Sequence, residues 1–252
     1  MPNTVYGTCP WCGKKAEIQN SHSVPRTYFR KAKRGGSGQA LIVADDGRPT
    51  QLSNIGGGGY LLCANCEGLF NKNFDKPCIE SFRSIKHTLD CGSRRRVFDF
   101  DYTVFVGFIC SVLWREANLP SEATFGFEAT PQEMEIYRRA IDGEPTVIRK
   151  AISIRMAYLF DRLGKATPDQ IEGIVGRPWR RRDDSVSIIM AGFAIDVHIP
   201  RLSTSIRTGP GFFLPNNRWR VLKLHIADVN RIMGPLAASH GADRRMKKKG
   251  GS

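Results

Sequence analysis

The chain is short of acid. Across 252 residues, 24 Asp and Glu stand against 38 Lys and Arg, a formal net charge of +14. That balance argues against a cationic partner and favours a polyanion, nucleic acid or an anionic membrane surface. Long apolar runs are also lacking. The longest predominantly apolar stretch, Tyr102 to Trp114, reads "YTVFVGFICSVLW" and covers 13 residues. That is too short to span a bilayer, so a buried helix or strand is expected there, and no membrane partner. The opening "MPNTVYGTCPWC" has no basic start followed by an apolar stretch, so no secretory leader is expected. Neither a G-x-x-x-x-G-K-[S/T] phosphate loop nor a G-x-S-x-G nucleophile elbow occurs. There is no internal repeat. The length still allows one large domain or two small ones around a substantial core.

What is present begins with cysteine. Seven occur, and four form two matched pairs, Cys9/Cys12 and Cys63/Cys66, each C-x2-C. A gap of two residues lets both thiolates of a pair bind one tetrahedral cation, and four soft sulfurs suit Zn2+. A closed four-sulfur shell leaves no open position, so such a zinc is structural. The alternatives are buried free thiols, or disulfides in an exported protein. Without an export signal, reduced thiols and a cytoplasmic location are expected. Cys78, Cys91 and Cys110 show no partner spacing and read as core thiols. No H-x3-H pair follows either cysteine pair, which excludes groove reading by zinc-finger helices.

Composition shifts near "CGSRRRV", residues 91 to 97. The expected organisation is α+β: a zinc-stapled unit over 1–92, a mixed helical and antiparallel β domain over 97–240, and a disordered basic tail over 241–252. In the first unit, "AEIQN" and "YLLC" read as strands, "ALIVA" as another, and 66–75 as a helix. In the second, Thr130, Pro131 and Glu133 open a helix to about Ile141 with a capping box. The spacing over 146–163 predicts a long helix stopped by Gly164. Thr167, Pro168 and Gln170 open another. "SVSIIMAG" and "FAIDVHIP" alternate as strands around Gly192, and 218–226 reads as one further strand. His198 and His225 fall in strands and read as scaffold residues.

"NSHSVPR" after the first cysteine pair and "LLCANCE" at the second, in this order and spacing, resemble the ββα-metal fold of HNH endonucleases. The resemblance covers roughly residues 5 to 76 and implies a treble-clef-like N-terminal domain. It implies metal-dependent hydrolysis of nucleic acid, DNA above all; a place in bacterial defence follows by analogy alone. His22 matches the histidine that activates the attacking water. Glu67 matches a metal-binding position, and Asn71 lies one helical turn on. Mg2+ or Mn2+ held there would stabilise the leaving oxygen. The chain departs from the pattern twice. Ser21 stands where an Asp or His metal ligand is usual, and Gly58 stands where an asparagine orients the base. Two readings therefore remain: an endonuclease with an altered metal set, or a non-catalytic zinc-bearing nucleic-acid-binding or adaptor protein. His22 either acts as base or braces the loop. Glu67 is either a ligand or a first-turn acid complementing the helix dipole, and Asn71 is either a ligand or a solvated helix position.

"RTYFRKAKR", residues 26 to 34, interleaves aromatics with cations directly after the candidate site. Arg26, Arg30, Lys31, Lys33 and Arg34, with Lys72 beyond the second cysteine pair, are candidate phosphate contacts, and Tyr28 or Phe29 could stack on an unpaired base. The alternative is a solvated loop.

Overall fold

Val5–Thr8 (β1) and Lys15–His22 (β2) pair antiparallel across the first cysteine pair. Gly13 closes that turn at φ 70°, a left-handed conformation that glycine takes without a Cβ penalty. Its N–H donates to the Cys9 carbonyl at 2.8 Å. Gly58–Cys63 (β5) pairs with the other edge of β2, so the sheet order is β1-β2-β5. Ala40–Ile42 (β3) and Gln51–Ser53 (β4) form a separate antiparallel pair. The computed structural model describes residues 4–29, 40–42, 51–53, 58–91, 97–120, 127–164, 166–214 and 218–229. The basic tail over 241–252 falls outside these residues.

Cys63 leads directly into Ala64–Phe70 (α1), a π-helical turn over Asn71–Asp75, and Lys76–Asp90 (α2). The helical segment is thus much longer than the expected 66–75. Pro77, which lacks an N–H, falls in the first turn of α2, where no intrahelical donor is needed. The wide turn just before it, where the Lys76 N–H donates to the Asn71 carbonyl, lets the chain pass. After Val97–Asp99 (β6), the apolar stretch forms a buried helix, Tyr102–Asn118 (α3), capped by the Asp101 carboxylate on the Val104 N–H at 3.0 Å. This helix crosses the π turn closely. A Cβ added at Gly107 would lie 2.5 Å from the Phe74 ring, so only glycine permits the crossing.

Pro131–Ile141 (α4) has the expected capping box of Thr130 and Glu133. The helix expected over 146–163 does not form. Pro145–Lys150 (α5) is followed by a strand, Ser153–Phe160 (β7). The sheet order is β13-β7-β10-β9-β8, and the physical reason is that apolar clusters bury residues on both faces of β7. β7 is buried along most of its length, and a strand covered on both faces loses its period-two signature. Pro168–Glu172 (α6) carries its own capping box, of Thr167 and Gln170. Gly176–Arg180 (β8), Val186–Met190 (β9) and Phe193–His198 (β10) follow. The turn between β9 and β10 takes positive φ at Ala191 and Gly192, 57° and 80°, as a two-residue hairpin turn with the strands' own twist does.

Thr204–Arg207 (α7) and Phe213–Leu214 (β11) precede a further departure from expectation. The stretch 218–226 is two strands in two sheets, Arg218–Arg220 (β12) beside β6 and β11, and Leu222–His225 (β13) parallel to β7. Trp219 pins the switch. Its buried indole N–H donates to the carbonyls of Met156 (3.2 Å) and Gly211 (3.0 Å). One apolar cluster runs from Cys9, Leu62 and Phe70 through Phe105 and Phe193 to Trp219. The molecule is therefore a mixed α+β protein built on mainly antiparallel sheets. No helix among the described residues is long and apolar enough to cross a membrane.

Candidate metal centre and active site

The β1–β2 turn presents Cys9 and Cys12; β5 ends on Cys63, and the first turn of α1 carries Cys66. The four sulfur atoms all lie within 4.8 Å of one another, and Cys12 and Cys63 are 3.9 Å apart. Four Zn–S bonds in a tetrahedron put the sulfurs about 3.8 Å apart, so the donor set fits such an ion. Burial pushes the Cys9 thiol up, but backbone hydrogen bonds at Cys12, Cys63 and Trp11 outweigh it and bring it down to about 7. Burial, with the neighbouring thiols, pushes Cys66 up. The cluster is anchored to the rest of the chain through Trp11. Its ring meets Phe70 and Trp114 edge-on at 5.0 and 5.1 Å, and the Arg138 guanidinium lies 4.8 Å over it. Of the other cysteines, Cys78 and Cys110 are core thiols as expected; Cys91 is exposed, because it follows the last turn of α2 rather than facing inward.

His22 ends β2 opposite Gly58, partly buried. Burial lowers its pKa below the usual imidazole value of 6.5, and the Arg26 guanidinium works the same way, as do Arg115 and Arg177 more weakly. The Asn20 backbone works the other way and raises it. Ser21 faces the other side of the strand and is fully buried. Its hydroxyl donates to Glu67 Oε2 at 2.7 Å and accepts from the Leu62 N–H at 3.3 Å. The residue read as a poor metal ligand is thus the link between the strand end and the helix. Glu67 lies in the first turn of α1, where a carboxylate also complements the helix dipole. Asn71 is exposed one turn further on, where its N–H donates to the Glu67 carbonyl.

Lys72 is exposed in the π turn, and Arg26 is exposed at the start of a helical turn over 26–29. The aromatic pair after Arg26 is not available for stacking: Tyr28 and Phe29 are buried. Arg30, Lys31, Lys33 and Arg34 lie outside the described residues. Behind the His22 turn is a buried charged layer that sequence reading missed. Arg115 donates twice to Asp75, at 3.0 and 2.7 Å, and once to the Ser111 carbonyl. Arg177 on β8 pairs with Glu116 at 2.7 Å, and its Nε–H donates to the same carboxylate at 3.1 Å. Burial nevertheless holds the Glu116 carboxyl above its usual range. The available signal was the Arg115–Glu116 pair inside an otherwise apolar helix. A separate open cleft of about 920 Å³ lies at the start of α4, lined by Glu133, Arg180 and Pro200. There Arg180 is already satisfied by Glu133 and by the Glu128 and Asp184 carbonyls.

No family model matches the chain, and neither the curated proteins nor the solved structures contain a match to it. Fold and site together define an α+β protein whose four clustered cysteines could bind a metal ion such as zinc.

Proposed function

We propose that the protein is an HNH-like, metal-dependent endonuclease, with a structural zinc at Cys9, Cys12, Cys63 and Cys66. The observation that carries this reading is a continuous path. The β2–β5 pair, with His22 at its end, runs through Cys63 into α1, and Ser21 beside His22 bonds Glu67 on that helix at 2.7 Å. His22 is the base. Its depressed pKa keeps the imidazole neutral near pH 7, free to take a proton from water as that water attacks phosphorus. The oxygens of Glu67 and Asn71 suit a hard cation, Mg2+ or Mn2+, which supplies Lewis-acid stabilisation of phosphate charge when bound. Arg26 and Lys72, with Arg30, Lys31, Lys33 and Arg34, would contact phosphates. The net charge of +14 supports a nucleic-acid substrate, DNA in the first instance.

One observation favours the adaptor reading. The Ser21 hydroxyl occupies a Glu67 oxygen, which is what a purely structural brace would do. Plasmid cleavage separates the two. With Mg2+ or Mn2+ the protein is expected to nick plasmid, and His22→Ala to lower the rate by about 10²–10⁴-fold with zinc content unchanged. A fully active alanine variant removes His22 from the mechanism; no cleavage of DNA or RNA with either cation leaves the adaptor. The pH profile has a definite sign. A base with a lowered pKa stays deprotonated further into acid, so the acid limb of the rate should have its midpoint below 6.5. Arg26→Ala should move that midpoint upward.

A further inference from the structure

Two aromatic side chains among the described residues are exposed, Tyr6 at 77% and Tyr60 at 49%. Both belong to the β1-β2-β5 sheet, and the register puts them on one face. Residues opposite one another in a ladder point to the same side, and neighbours along a strand alternate. Val5, Ile18 and Cys63 align across the three strands, and Ile18 and Cys63 are buried in the apolar cluster. Tyr6, opposite Glu17, and Tyr60, opposite Asn20, therefore take the other side. That is also the side of the candidate base. Gly58, two residues before Tyr60, lies opposite His22. A Cβ built on Gly58 would lie 2.5 Å from the Asn20 side-chain oxygen and 2.9 Å from His22 Cε1, so Asn20 and His22 both lean over this part of the face. Leu62, on the same side, is fully buried. The two tyrosines thus stand at separate places, and Tyr60 is the aromatic at the His22 end.

Packing does not hold Tyr60 there. Among the described residues its ring makes no aromatic or cation contact, and its hydroxyl makes no hydrogen bond. A ring left half in water is suited to stack on a flat partner, and every nucleobase has a π face. A base inside a duplex is already stacked on both sides, so an unpaired or extruded base is the one that fits. The charge favours the same partner: the chain carries +14, and Arg26 and Lys72 are exposed on the segments that follow His22 and Glu67. We propose that Tyr60 stacks on an unpaired base next to the phosphate that His22 serves, so that the preferred substrate is a single strand or a locally opened one. This rests on the reading of the site as one that cleaves nucleic acid, and narrows it. It also supplies the stacking expected of Tyr28 or Phe29, both of which are buried.

The test is binding by the zinc-loaded full-length protein, at fixed salt and without added Mg2+ or Mn2+, of a labelled oligothymidine and of a duplex of equal length. The wild type is expected to bind the single strand more tightly. Tyr60→Ala should weaken single-strand binding by roughly 5- to 150-fold, the range for one stacked base, and leave duplex binding little changed. Tyr60→Phe keeps the ring and should bind as the wild type does. Tyr6→Ala, on the opposite edge strand, should also bind normally. In the wild type, an oligonucleotide carrying 5-iodouracil should cross-link to Tyr60 on irradiation, a readout that needs no variant. Unchanged single-strand affinity in Tyr60→Ala would overturn the proposal. So would an equal loss on duplex, a wild type that binds no single strand, or cross-links that avoid Tyr60. None of these readouts needs cleavage. Protein that binds as expected but nicks no plasmid keeps the stacking site and loses the nuclease; protein that nicks plasmid while Tyr60→Ala binds normally keeps the nuclease and loses the stacking site.

Discussion

Cys66→Ser is expected to empty the metal centre and unfold the β1-β2-β5 sheet with the turn that carries His22. Cys66 is one of four sulfurs within 4.8 Å of one another, and it is buried. A serine hydroxyl does not ionise near neutral pH and is a poor fourth ligand for zinc. The sheet itself is small, with strands of 4, 8 and 6 residues, and cannot hold itself together on its own apolar area. A structural zinc contributes on the order of 10 kcal/mol or more, comparable with the whole stability of an ordinary domain. Zinc per chain should therefore fall from one to none, with loss of tertiary structure in the N-terminal part. Chelation of the wild type should reproduce it. A variant that keeps its metal and its unfolding temperature would contradict this.

The second large effect belongs to the buried ion pair between the π turn and α3. Arg115 and Asp75 are almost completely enclosed, with side-chain exposures of 1% and 9%. Arg115→Met leaves the Asp75 carboxylate without its cation in a low-dielectric interior, at a cost of about 3–5 kcal/mol. For a chain of this size that lowers the unfolding temperature by roughly 6–20 °C. Asp75→Leu together with Arg115→Met removes both charges and should recover most of the loss, since a buried pair contributes little over apolar packing. Calorimetry of the wild type, both single variants and the double variant measures the coupling directly. A single variant within 1 kcal/mol of wild type would show that water reaches the pair.

Sequence signals are legible where the chemistry is local. Thr130 with Glu133, and Thr167 with Gln170, mark helix starts because each cap bonds within its own turn. Phe193, Ile195 and Val197 alternate because β10 has one face against the core. The cysteine spacing is readable because one ion can join two short turns. Legibility fails where distant parts of the chain decide. Ser153–Phe160 loses its alternation because residues of both faces are buried, Ile154, Met156 and Tyr158 in the main apolar cluster and Leu159 in a second one with Ile171 and Ile174. Residues 218–226 split because Trp219 serves one core and Leu222 opens a strand of another sheet. At the site, Ser21 looks like a defect in isolation. Only the fold brings its hydroxyl to Glu67, 46 positions along the chain. The crowding of Asn20 and His22 over Gly58 arises the same way, from pairing of strands that the sequence keeps far apart.

Both the proposed zinc centre and the candidate active site require two cysteine pairs, with Cys12 and Cys63 separated by 51 positions, to close on one ion. Native mass spectrometry with thiol titration tests this most directly. One zinc per chain is expected, released in a Cys91→Ser variant, which removes the exposed thiol outside the cluster, in step with the modification of four cysteines by an organomercurial. Protein that carries no metal, or whose zinc persists after those four thiols have reacted, would contradict it.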